Sequence, residues 1–102
     1  MTTSESILEE AQRLTHGDRN VDYGHPLDDY TKTAAFWTTA LAGAGVLKDG
    51  ATVSPELAAL MMCLVKISRQ LNRPKRDNMV DLAGYAWVAD ECIQERERRA
   101  QT

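Results

Sequence analysis

"SPELAALMMCLVKISRQLNRPKRDNMVDLAGYA", residues 54–86, decides the fold. Ser54 and Pro55 read as a helix cap and a first helical residue, and Glu56 suits the positive end of the helix dipole. From there Leu57, Leu60, Met61, Leu64, Ile67 and Leu71 recur at helical spacing, flanked by Ala58, Met62 and Val65. So wide an apolar sector predicts a central helix over 55–72 with these side chains in the core. Pro74 ends it. Asp77 or Asn78 then caps a helix over 78–97 that carries Val80, Leu82, Tyr85, Ala86, Trp87, Ala89 and Ile93.

Two more helices precede this pair. One spans 4–16, with Thr2 and Glu5 at capping-box spacing, Ile7, Leu8, Ala11 and Leu14 on one face, and Gly17 as a stop. The other spans 26–42, opening on Pro26 and carrying Tyr30, Ala34, Trp37 and Leu41 as its stripe. Trp37 and Trp87 read as core, and Met61, Met62 and Met79 as core or subunit contact. Residues 94–102 form a charged tail. No useful segment alternates with period two. The expectation is an all-α domain over 1–102, most simply a four-helix bundle. A chain this short leaves much surface outside its core, so completion as a homo-oligomer is the natural supplement.

Composition narrows the function classes. With 43% hydrophobic and 26% charged residues the chain has an ordinary globular balance, and a net charge of −3 offers no global attraction to DNA. Charge is nevertheless segregated. Residues 1–30 hold seven acids against two bases, whereas 66–76 hold five bases and no acid. Such opposite blocks would meet within one chain or across two. Cys63 and Cys92 sit in apolar patterns and read as buried free thiols of a reducing cytoplasm. No signal peptide is visible, and the longest apolar run, Leu57–Val65, is far below a membrane span. The expected setting is cytoplasmic.

The basic block, Lys66, Arg69, Arg73, Lys75 and Arg76, has two readings. Its bases complement the negative end of their own helix. Alternatively, with the amides that open the next helix, they cradle a phosphate. Lys66, set between Val65 and Ile67, fits the first reading poorly. Asp77 and Asp81 lie one turn apart on a common side, and Asp81 stands between Val80 and Leu82. A carboxylate in such company needs a partner: Lys66 or Arg69 in a structural pair, or Mg²⁺ shared with a substrate phosphate. Gly84, in mid-helix, points to close approach of another backbone or a ligand. The loop "HGDRNVDYGHP", 16–26, adds Arg19, Tyr23 and His25 to the phosphate and base contacts, together with Tyr85 on the last helix. Its histidines and aspartates match no usual zinc spacing.

"VDYGHP" at 21–26, "FW" at 36–37 and the stretch 54–86 together resemble a family of small helical bacteriophage proteins of unassigned function, over residues 5–93. That family in turn resembles, remotely, the MazG-like all-α nucleoside triphosphate pyrophosphohydrolases. The second resemblance implies Mg²⁺ held by an ExxE pair on one helix and an E/DxxD pair on the next. Asp81 with Asp77 or Asn78 takes the place of the second pair. The first is missing, since only Glu56 lies on the preceding helix. The resemblance therefore implies a nucleotide-binding protein, with Mg²⁺-dependent hydrolysis open. Two alternatives stand beside it. One is a non-catalytic sponge for a nucleotide signal of host defence. The other is a protein–protein module that binds a host protein or a second copy.

Overall fold

The computed structural model describes residues 4–17 and 22–101. Four long helices pack together: α1 (Ile7–His16), α2 (Pro26–Gly43), α3 (Pro55–Asn72) and α4 (Arg76–Ala100). No strand occurs among the described residues. The all-α expectation holds, with shifted boundaries. Helix α1 starts later than expected because Ser6 and Glu9 form the capping box: Ser6 Oγ accepts from the Glu9 amide at 3.1 Å, and Glu9 Oε1 accepts from the Ser6 amide at 2.9 Å. Helix α4 starts at Arg76, ahead of both expected caps, and Lys75 stands at its N-cap without a side-chain cap bond. It runs on through the charged tail to Ala100. Ion pairs of Glu95 with Arg98 and Arg99 at helical spacing support that extension.

Helices α3 and α4 form a hairpin, with α2 lying against both and α1 against α4 alone. The core draws on Leu27, Tyr30 and Ala34 of α2, Val53, Ala58 and Ala59 around α3, and Val88, Ala89 and Cys92 of α4. Trp37, Leu41, Met61, Met62 and Trp87 pack around it, partly buried. Thr38 links α2 to the segment before α3: its hydroxyl donates to the Ala34 carbonyl at 2.7 Å and accepts from the buried Val53 amide at 2.9 Å. Burial keeps both thiols protonated, pushing Cys92 up to about 11 and raising Cys63 as well.

One expectation about α3 is overturned. The small residues Ala58 and Ala59 are fully buried and Cys63 nearly so, whereas Leu57, Leu60, Leu64, Ile67 and Leu71 all face water. Leu64 is 64% exposed and Leu71 83%. Small side chains let α3 approach its neighbours closely, which turns the large ones outward.

The far end of the hairpin is clamped by a bidentate pair. Arg96 on α4 donates to both carboxylate oxygens of Glu56, at 2.8 and 2.5 Å. The guanidinium holds the Glu56 carboxyl down from 4.5 to about 2. A depressed folded-state value means stability that is present above the unfolded value and lost as pH falls through the folded one. For this pair the window runs from about 4.5 down to about 2. After allowance for solvent screening the contribution is about 1–2 kcal/mol. Urea unfolding of Arg96→Ala should therefore show the variant less stable by that amount at pH 7. The gap should close as pH falls toward 2–3. A pH-independent gap would refute the assignment.

Candidate functional site

Helix α1 and the N-terminal half of α4 do not close on each other completely. Between them lies a cleft of about 630 Å³, walled also by the short segment at Asp22 and Tyr23. That volume falls in the range of small-molecule sites. The α4 wall is Val80, Asp81, Gly84, Tyr85 and Val88, positions that share one side of a helix. Opposite stand Ala11, Arg13, Leu14 and Thr15 of α1.

Each wall has a local cause. Thr15 is buried because its hydroxyl donates to the Ala11 carbonyl at 2.8 Å, leaving its methyl to pack. That methyl faces Gly84, where an added Cβ would meet it at 3.5 Å, an ordinary van der Waals distance. Backbone crowding is thus not what Gly84 serves; the missing side chain leaves the cleft open. Gly24, at φ +77°, takes the left-handed conformation that carries the chain from Tyr23 into α2. Arg13 is held by Glu5 through bonds of 3.0 and 3.1 Å, which lower the Glu5 carboxyl below its ordinary value.

The residues singled out in the sequence divide into groups. Tyr23, Tyr85 and Asp81 line the cleft. Lys66 joins them indirectly, its ammonium lying 2.9 Å from Asp81 Oδ2 with its side chain only 11% exposed. Arg76 turns instead to α1, pairing with Glu10 and donating to the Glu5 carbonyl at 2.9 Å. Here the acidic and basic blocks do meet, within one chain. Arg69, Arg73 and Lys75 are exposed at the α3–α4 turn and line no part of the cleft, so the expected five-base cradle is not assembled as a unit. Asp77 is exposed in the first turn of α4. Arg19 lies outside the described residues. Asp22 stood in the sequence reading among the loop's polar and metal-ligating groups, whereas Arg13 and Thr15 had no role in it. Tertiary packing of α1, which short-range spacing does not reveal, brings them there.

His25 serves elsewhere. Its Nδ1 accepts from the Leu27 amide at 3.0 Å, making it the N-cap of α2. Its Nε2 lies 3.4 Å from Glu91 and 3.8 Å from Glu95. These three are the sole group of metal-ligating side chains that converges among the described residues. An Nδ1 that accepts a hydrogen bond leaves the proton on Nε2, the atom that would have to bind the metal. Arg98 and Arg99 already occupy both glutamates, and Arg99 reaches Asp28 at 2.7 Å. The cluster is an ion-pair network tying α4 to the start of α2. Asp77 and Asp81 belong to no converging group of three or more such side chains among the described residues.

Among the described residues, no helix is long and apolar enough to cross a membrane. No solved structure matches the chain. It is 42% identical over 93 residues to the Gene 55 protein of Mycobacterium phage D29, covering 90% of this chain and 56% of that protein. It is 37% identical over 95 residues to the Gene 55 protein of Mycobacterium phage L5, covering 91% and 56%. The chain thus spans about half the length of these relatives. The model of a family described as a domain of unknown function matches residues 6–93, nearly the whole chain, which therefore belongs to the DUF6378 family.

Proposed function

We propose that the α1–α4 cleft binds a nucleotide in the cytoplasm of a phage-infected host. The observation that carries this reading is the meeting of Tyr23, Tyr85, Arg13 and Asp81, the last paired with Lys66 behind it, at one ligand-sized cavity. The tyrosines offer aromatic faces for a base. Lys66 and Arg13 offer positive charge for phosphates. Asp81 and Asp22, which line the same cleft, would repel a bare phosphate. They accept one through Mg²⁺ that arrives with the nucleotide, held by one or two carboxylates and the phosphate oxygens. The MazG-like version adds hydrolysis to monophosphate and pyrophosphate, with the ion supplying Lewis acidity. Engagement of Asp81 by Lys66 favours the alternative, capture without cutting, because it withholds a carboxylate from the metal.

The test is thermal shift across nucleoside triphosphates and cyclic dinucleotides, with Mg²⁺ and with EDTA, alongside pyrophosphate release. A nucleotide that raises the melting temperature with Mg²⁺ is expected. The shift should vanish in Tyr85→Ala and in Gly84→Leu, which fills the cleft, while both variants keep their helicity. A shift that persists in EDTA, with the nucleotide recovered intact, would establish the sponge-like version. If no nucleotide at millimolar concentration moves the melting temperature, the reading fails.

A further inference from the structure

On α3 the exposed side chains Leu57, Leu60, Leu64, Ile67 and Leu71 repeat with spacings of three, four, three and four. That is the a/d pattern of a helix seam made to meet another helix. Ala58, buried in one core with Leu27, Tyr30 and Ala34 of α2, points to the other side of α3. On α4, Met79, Ala86 and Ile93, seven apart and exposed, lie opposite Gly84, Glu91 and Glu95, which face α1 and α2. One whole face of the α3–α4 pair is therefore apolar, heptad-spaced and covered by no described helix.

The dimensions agree. The chain measures 54 × 41 × 20 Å, so it is thin in one direction, about two helix diameters. Its radius of gyration is 15.4 Å, against about 13 Å for a compact domain of this length. It exposes 7114 Å², whereas a compact monomer of 11.4 kDa exposes roughly 5800 Å². The surplus, on the order of 1000 Å², matches the ~800 Å² that each partner buries in a stable interface.

We infer that this face binds the same face of a second copy, so that two α3–α4 hairpins make a four-helix core about a two-fold axis. A two-fold pairing is closed and self-complementary, which suits a single apolar patch. Charge selects the orientation. Parallel α3 helices would set Arg69, Arg73 and Lys75 of one copy beside the same bases of the other. Antiparallel helices put them at opposite ends and also oppose the helix dipoles. This face shares no residue with the α1–α4 cleft, so pairing and nucleotide binding are independent.

Sedimentation equilibrium at micromolar concentration tests it. Wild type should sediment at twice 11.4 kDa. Leu64→Lys with Ile67→Lys should raise the dimer dissociation constant at least 100-fold with helicity unchanged, because both residues already face water in one chain. Cysteines placed at Leu57 in one copy and Leu71 in another should cross-link on mixing, with native Cys63 and Cys92 buried. A monomeric wild type leaves the face to some other partner and overturns the proposal. So do a dimer that survives the double lysine variant and disulfides that form only within each single-site variant.

Discussion

Asp81→Ala is expected to cost about 2 kcal/mol of folding stability, and Lys66→Met about half of that. Removing one member of a fully buried ion pair costs about 3–5 kcal/mol, because the other charge stays desolvated and alone. Here the pair is unequal. Lys66 is 11% exposed and Asp81 40%. Loss of the aspartate strands an ammonium between α3 and α4, although partial solvent screening trims the cost. Loss of the lysine strands a carboxylate that water reaches, and methionine keeps the buried stem packed. The double variant Lys66→Met with Asp81→Leu should regain most of the stability lost in Asp81→Ala, a coupling of about 1–2 kcal/mol. Urea denaturation of the four proteins measures the cycle. Additive losses would show that the 2.9 Å contact contributes little. Lys66 and Asp81 both belong to the proposed nucleotide site, so the double variant should fold but lose the thermal shift.

This pair was legible before the fold because each member is a charge at an apolar position, and such a charge needs a partner that helix spacing can bring near. The α3 stripe was legible as a pattern but not as a burial state. Periodicity shows which residues share a face and says nothing of what covers it. Ala58, Ala59 and Cys63 carry weak hydrophobic signal, yet their small size is what allows close helix contact, so they won the interior from five large side chains. The basic block misled for another reason. Density along the chain implied one site, whereas Lys66 and Arg76 each found a separate acid and three bases stayed in water. The Arg76–Glu10 contact joins residues 66 positions apart. Opposite charge blocks made such a contact plausible but could not say which side chains would form it.

Arg76→Ala should free α1 from α4 while leaving the rest of the fold in place. Helix α1 packs against no other described helix. With ten residues it is too short to persist alone in water. Its attachment rests on Ala11 and Thr15, on the His16 ring tilted against Trp87 with centroids 4.6 Å apart, and on Arg76, which grips both the Glu10 carboxylate and the Glu5 carbonyl. Charge-assisted hydrogen bonds contribute about 1.5–3 kcal/mol each before screening, so at this half-exposed position the pair should contribute about 2 kcal/mol. That cost falls on local opening, not on global unfolding. Amide exchange across Ile7–His16 should accelerate about 30-fold, the factor that corresponds to 2 kcal/mol, while α2 and α3 keep their protection. Glu10→Gln, which spares the bond to the Glu5 carbonyl, should give a smaller acceleration. Unchanged exchange in α1 would mean that apolar packing alone holds it. Because α1 is one wall of the cleft, Arg76→Ala should also weaken nucleotide binding although Arg76 does not line the cleft. Arg76 would then act on the ligand only by holding the wall in place, and a nucleotide that binds should in turn slow α1 exchange in the variant toward the wild-type rate.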